Sequence, residues 1–112
     1  MIAVIFEVQP TEEGKPHYLA LAKALRSELD TMDGFISIER FESLSAPGKI
    51  LSLSIWRDED ALTQWRAHQG HQSAQGKGRQ GVFADYRLRV ASVIRDYGMS
   101  DRTEAPNDRA WR

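Results

Sequence analysis

Apolar residues alternate from the first positions of the chain. Ile2, Val4, Phe6 and Val8 share one face of a strand over residues 2–8, and Ala3 and Ile5 make the other face apolar until Glu7. Period two marks extended chain. Pro10 has no N–H to give and is expected to stop the ladder. The period then changes to three and four. Tyr18, Leu21, Ala22, Leu25, Leu29 and Met32 form one stripe, which predicts a helix over residues 16–32. Pro16 suits its first turn, and Asp33-Gly34 is expected to end it, the glycine supplying a left-handed cap.

A second strand is predicted over residues 35–44, with Phe35, Ser37, Glu39 and Phe41 opposite Ile36, Ile38 and Arg40. Ser45-Ala46-Pro47-Gly48 reads as a turn. In the third strand, residues 50–56, Leu51, Leu53 and Ile55 alternate with Ser52, Ser54 and Trp56. One of its faces is wholly apolar and the other would line a polar-tinged space. Asp58 is a good N-cap for a second helix, and Glu59 and Asp60 favour its positive end. The stripe of that helix runs Ala61, Leu62, Trp65, then His68 or Gln69, and Gln72. It turns polar after Trp65, which is unusual for a helix that only fills a core. Gly70 weakens the helix, and Gly76, Gly78 and Gly81 loosen the link to the next strand. The last strand falls within residues 83–97, with Tyr86, Leu88, Val90, Ser92 and Ile94 opposite Arg87, Arg89, Ala91, Val93 and Arg95.

The order β-α-β-β-α-β with short links predicts an α+β, ferredoxin-like domain over residues 1–98, its four-stranded antiparallel sheet carrying both helices on one face. Residues 99–112 lose periodicity and read as a mobile or partner-docking tail, with Trp111 either docked or disordered. Two helices cover one face of the sheet only. Ala3, Ile5, Ile36, Ile38, Ala91 and Val93 make the opposite face partly apolar, which predicts a homodimer with sheets packed face to face over more than about 1,200 Å². The alternative is a monomer whose outer face is solvated through Glu39, Arg40, Arg87 and Arg89.

Composition narrows the function. A chain of 112 residues holds one domain. A net charge of −1 gives no global field for nucleic acid or anionic lipid. No apolar run approaches membrane-spanning length, and the start, MIAVIFEV, lacks a basic leader, so no membrane partner and a cytoplasmic location are expected. The absence of cysteine removes disulfides, thiolate nucleophiles and cysteine metal sites. His68-x-x-His71 has metal-ligand spacing, but no third ligand is evident. No metal or organic cofactor is expected.

Residues 49–78 concentrate the potential chemistry, with Trp56, Trp65, His68 and His71 on one strand and the helix after it. The segments SIWRDEDALTQWRAHQGHQSAQGKGR and FADYRLRVASVIRDYG resemble the antibiotic biosynthesis monooxygenase domain family. That resemblance implies a dimeric α+β barrel with a pocket in each subunit between the helices and the sheet. It also implies chemistry such as cofactor-independent oxygenation of polycyclic phenols, quinol oxygenation or haem degradation. Trp65 resembles the pocket tryptophan of such proteins. The haem degraders carry an Asn on the first strand and a His about ten residues after that Trp, whereas Glu7 and Gln75 stand here, so haem degradation is disfavoured. The polyketide oxygenases have an Asn near the Trp, where this chain has Ala61 or Leu62, and a tyrosine near the position of His71.

The expected function is oxygenation of a small aromatic phenol or quinol with dioxygen. His71 is the expected base, because an imidazole can take a phenolic proton near neutrality. Trp65 offers a flat wall for an aromatic substrate. His68 lies on the face of Trp65, and Tyr86 and Arg87 on the last strand complete the expected binding set, the arginine stabilising an anionic intermediate. The competing readings are structural. The imidazoles would cap the helix end, Trp65 would anchor the core, and Arg87 would be solvated or lie in a dimer interface. A non-catalytic small-molecule binder or stress-associated protein on the same scaffold is the alternative function.

Overall fold

The computed structural model describes residues 1–73 and 83–106, apart from the side chains of residues 70–73. Its elements are β1 (Ile2–Pro10), α1 (Gly14–Leu29), β2 (Phe35–Glu42), β3 (Ile50–Trp56), α2 (Glu59–Ser73) and β4 (Phe83–Ser92). The strands form one sheet in the order β2-β3-β1-β4, with every neighbouring pair antiparallel. This is the ferredoxin-like arrangement.

Local chemistry moves several boundaries. At the start of α1 the Gly14 N–H donates to Thr11 Oγ1 (2.9 Å), so the helix begins two residues before Pro16. It ends at Leu29 because the chain tightens there. Thr31 donates its hydroxyl and its N–H to the Glu28 carbonyl, and Met32 N–H donates to Leu29 O. Pro10 does not stop β1. It pairs with Phe83 beyond a register shift at Gln9, an irregular position that suits a residue without a donor. β4 stops at Ser92, where its pairing reaches Ile2. Asp58 caps α2 as expected, accepting from Ala61 N–H at 2.9 Å. That bond first, then the Arg57 side chain, lowers the Asp58 pKa.

The turn between α1 and β2 locks onto the start of α2. Gly34 has φ +85°, and its carbonyl accepts from Arg57 N–H at 2.7 Å. Arg57 also forms a two-pronged pair with Asp33 (3.2 Å each) and reaches Asp58 (3.0 Å), which raises its pKa further.

The register gives the faces of the sheet. Ile2, Val4, Phe6 and Val8 of β1 lie on the helix side with Ile50, Ser52, Ser54 and Trp56 of β3. On β2 the pairing slips between Phe35 and Ser37. The slip exchanges the faces of the later β2 residues, because side chains alternate along a strand. Ile38 and Arg40, expected on the outer face, therefore join Ser54 and Ser52 on the helix side. The outer face keeps Ala3, Ile5, Leu51, Leu53, Ile55, Phe41 and Ala91 as an apolar band. At its margin Glu7 accepts from Arg89 Nη1 (2.6 Å) and pairs with Lys49 Nζ (3.2 Å).

The core divides in two. Val4, Leu29, Trp56, Ala61, Leu62 and Trp65 are buried together at one end of the helix-facing side, and Val8, Tyr18 and Ile50 at the other. Between them β3 presents Ser52 and Ser54 rather than large apolar groups, so the helices do not close onto the sheet there.

Candidate functional site

The space between the two core clusters is a cavity of about 530 Å³. That is within the range of small-molecule sites, roughly 300–1,000 Å³. Its floor is the sheet, with Val4 and Phe6, Ile38 and Arg40, and Ser52, Ser54 and Trp56. Its roof is the stripe of α1 (Tyr18, Leu21, Ala22, Leu25, Leu29) and the face of α2 through Leu62, Trp65, Arg66 and Gln69. The exposed lining residues Leu21, Arg66, Tyr86 and Leu88 mark the side that opens.

One end is built from indole rings. Trp56 and Trp65 are 1% and 6% exposed, with centroids 6.3 Å apart, and Phe35 packs edge-on to Trp56 at 5.3 Å. Trp56 is fixed by its Nε1–H, which donates to Ser54 Oγ at 3.0 Å. The other end carries Phe6, Tyr18, Phe83 and Tyr86, with centroids 5.6 to 6.2 Å apart. Between these ends stand Arg40 and Ser52, directly opposed across the β2–β3 pair. Arg40 Nε–H donates to Tyr18 Oη at 3.4 Å, and the guanidinium carbon lies 5.9 Å from the Tyr18 ring centre.

Of the residues expected from sequence, Trp65 and Tyr86 line the cavity, Trp65 buried in its roof and Tyr86 62% exposed at its mouth. His68 stacks on Trp65 (5.5 Å, 27°) and lies outside the lining. Its Nε2 faces Glu28 Oε2 of α1 at 3.5 Å, both atoms shielded from solvent, so it bridges the helices behind the indole. Arg87 stands on the outer face of β4, in register with Glu7 and turned away from the cavity, as alternation from Tyr86 requires. His71 belongs to the last turn of α2, and its side chain lies outside the described residues, as do Gln75 and Trp111. Glu7 is on the outer face in its ion pairs. Among the described residues no group of three or more His, Cys, Asp or Glu is placed to hold a metal ion.

Tyr18, Arg40 and Ser52 are cavity residues that sequence reasoning did not single out as functional. Tyr18 reads as one more member of the helix stripe. Arg40 was hidden by the bulge in β2. Only the serines left a signal, as the polar positions of β3.

A family model described as antibiotic biosynthesis monooxygenase matches residues 1–77. The chain belongs to this family. The chain is 55% identical over 93 residues, 83% of its length, to a protein of Pyricularia oryzae named jasmonate monooxygenase ABM. It spans under half of that longer protein, 43%. It is 30% identical over 103 residues to YqjZ of Bacillus subtilis, an uncharacterised protein, covering 79% of this chain and 89% of that one. The fold matches that of Rv0793 from Mycobacterium tuberculosis with a TM-score of 0.73 at 18% identity, over 87% of this chain and 98% of the other. Among the described residues no helix of this family member is long and apolar enough to cross a membrane.

Proposed function

We propose that this family member is a cofactor-independent monooxygenase acting on a small aromatic phenol or quinol with dioxygen. The observation that carries the reading is the cavity itself. It is sized for one such molecule, walled by the indoles of Trp56 and Trp65, and furnished with few polar groups. An activated phenol needs no external reductant. One phenol ring C–H becomes a quinone C=O, the second oxygen atom leaves as water, and all four electrons come from the substrate. The protein then has to bind the ring, exclude water and favour the phenolate. Trp65 serves the first two tasks. His71 is the proposed base for the phenolic proton, and Tyr86 is proposed to contact substrate at the mouth. His68 acts through Trp65, and Arg87 has no part in the cavity.

The protein is further proposed to act as a homodimer joined through the apolar outer face of the sheet, Ile5, Leu51, Leu53 and Ile55 at its centre. A second substrate reading, jasmonate, is favoured by the 55% identity to the fungal relative of that name. With no phenol to supply electrons, its hydroxylation would take two from an added reductant such as a reduced nicotinamide, which the assay on jasmonate includes.

Oxygen uptake tests both readings. Wild type, Trp65→Phe and His71→Ala are compared on naphthols, anthrones, hydroquinones and jasmonate. The proposal expects uptake on at least one phenolic substrate, a loss of about tenfold or more in His71→Ala, and a raised KM in Trp65→Phe. Equal rates in all three proteins would remove the site assignment. Ligand-induced quenching of tryptophan fluorescence with no uptake would make the protein a binder.

A further inference from the structure

The polar centre of the cavity has a chemistry of its own. Arg26, Arg57 and Arg89 each have a carboxylate within 3.2 Å. Arg40 is half-buried on the cavity floor, and among the described residues no carboxylate lies within ion-pair distance of it. A guanidinium held against apolar walls without a counter-charge is costly, and an anion that enters relieves the cost. Its orientation is already set. Nε–H is spent on Tyr18 Oη, which leaves the terminal nitrogens to meet a ligand. Tyr18, accepting there, still has its own proton to donate, and its ring is 6% exposed and held edge-on to Phe83. Across the strand pair Ser52 adds a hydroxyl that makes no side-chain hydrogen bond among the described residues.

We infer that Arg40, Tyr18 and Ser52 form a subsite for the carboxylate of a substrate whose apolar body lies against Trp56 and Trp65. A carboxylate suits the three donors, because the two ends of a guanidinium meet its two oxygens in one plane and each oxygen has a further lone pair for a hydroxyl. Ser52 and Trp56 are four residues apart on β3, about 13 Å along a strand. The substrate is therefore a ring system with an acidic arm, and a bare small acid reaches only half the cavity. The inference rests on the cavity being the substrate site, and it concerns selection of the substrate rather than its oxidation.

Calorimetric titration with naphthaleneacetate and naphthaleneacetamide, nearly the same in shape and different in charge, tests it. Wild type is expected to bind the acid about tenfold or more tightly than the amide. Arg40→Gln should remove that preference while holding the amide within about twofold, which also shows that the cavity is folded. Arg40→Lys should restore part of the preference, and Ser52→Ala and Tyr18→Phe should each weaken the acid alone by about threefold. Equal binding of the two probes by wild type, no binding of either, or an undiminished preference in Arg40→Gln would overturn the subsite. Oxygen uptake is read separately. A preference for the acid without uptake on any substrate removes the oxygenase reading and leaves the subsite standing, whereas uptake with no charge preference does the reverse.

Discussion

Gly34 and Ala61 touch so closely that a Cβ placed on Gly34 would stand 2.5 Å from the Cβ of Ala61. The first turn of α2 thus rests on the backbone that leads into β2. Gly34 also has φ +85°, a conformation that costs a side-chain-bearing residue about 1–2 kcal/mol. Added to the overpacking, Gly34→Ala should destabilise the fold by about 2–4 kcal/mol. Urea unfolding measures it; a loss of only about 1–2 kcal/mol, the backbone cost alone, would show that α2 is free to shift.

Ser54→Ala tests the fixing of the indole wall. It leaves the buried Trp56 Nε1–H without its acceptor. The expected cost is about 1–3 kcal/mol, the penalty of an unsatisfied buried donor. Ser52→Ala, which removes a hydroxyl with no such partner, should cost less in the same urea titration.

Acid pH should weaken one identifiable contact. Arg89 first, then Lys49, holds the Glu7 pKa below its ordinary value. A carboxylate lowered in the folded state contributes stability that is fully present above the unfolded value, about 4.3. That contribution is lost as pH falls through the lower folded value. Glu7→Gln should therefore be less stable than wild type at pH 6 and converge with it in melting temperature as the solution is acidified and Glu7 takes up its proton, the group being too exposed for a large effect. A constant gap throughout the acidification would mean that Glu7 acts by packing.

The proposed dimer is tested at the centre of the outer face. Wild type is expected to have the mass of two chains by light scattering, and Leu53→Lys the mass of one, with an unchanged far-ultraviolet spectrum. A charge buried between two apolar sheets is not tolerated unpaired. A monomeric wild type would remove the interface.

Much of this architecture is legible in the residues because periodicity records which face of an element is covered. The stripe from Tyr18 to Leu29 and the alternation of β1 and β3 show where α1 and the sheet meet, and Ser52 and Ser54 already point to a space that is not filled. The remainder depends on features with no period. α1 ends early through the local hydrogen bonds of Thr31, and β4 ends where β1 stops pairing with it, although its own alternation continues. Arg40 escaped because one slipped residue reverses every later side chain of β2, and no alternating pattern announces where that happens. Tyr18 looks like core until Arg40 is seen beside it. Trp65 stood out because a large ring precedes polar positions on its stripe, one of which, Gln69, lines the cavity beside it.

The bulge at Phe35–Ser37 also bears on how such a chain could diverge. A deletion of one amino acid between that bulge and Arg40 would move Arg40 from opposite Ser52 to opposite Leu53, on the far surface, and take its charge off the chamber floor in a single genetic event. Substitutions in the chamber would tune preference by degrees, whereas a change of length in this one edge strand would replace one class of ligand by another.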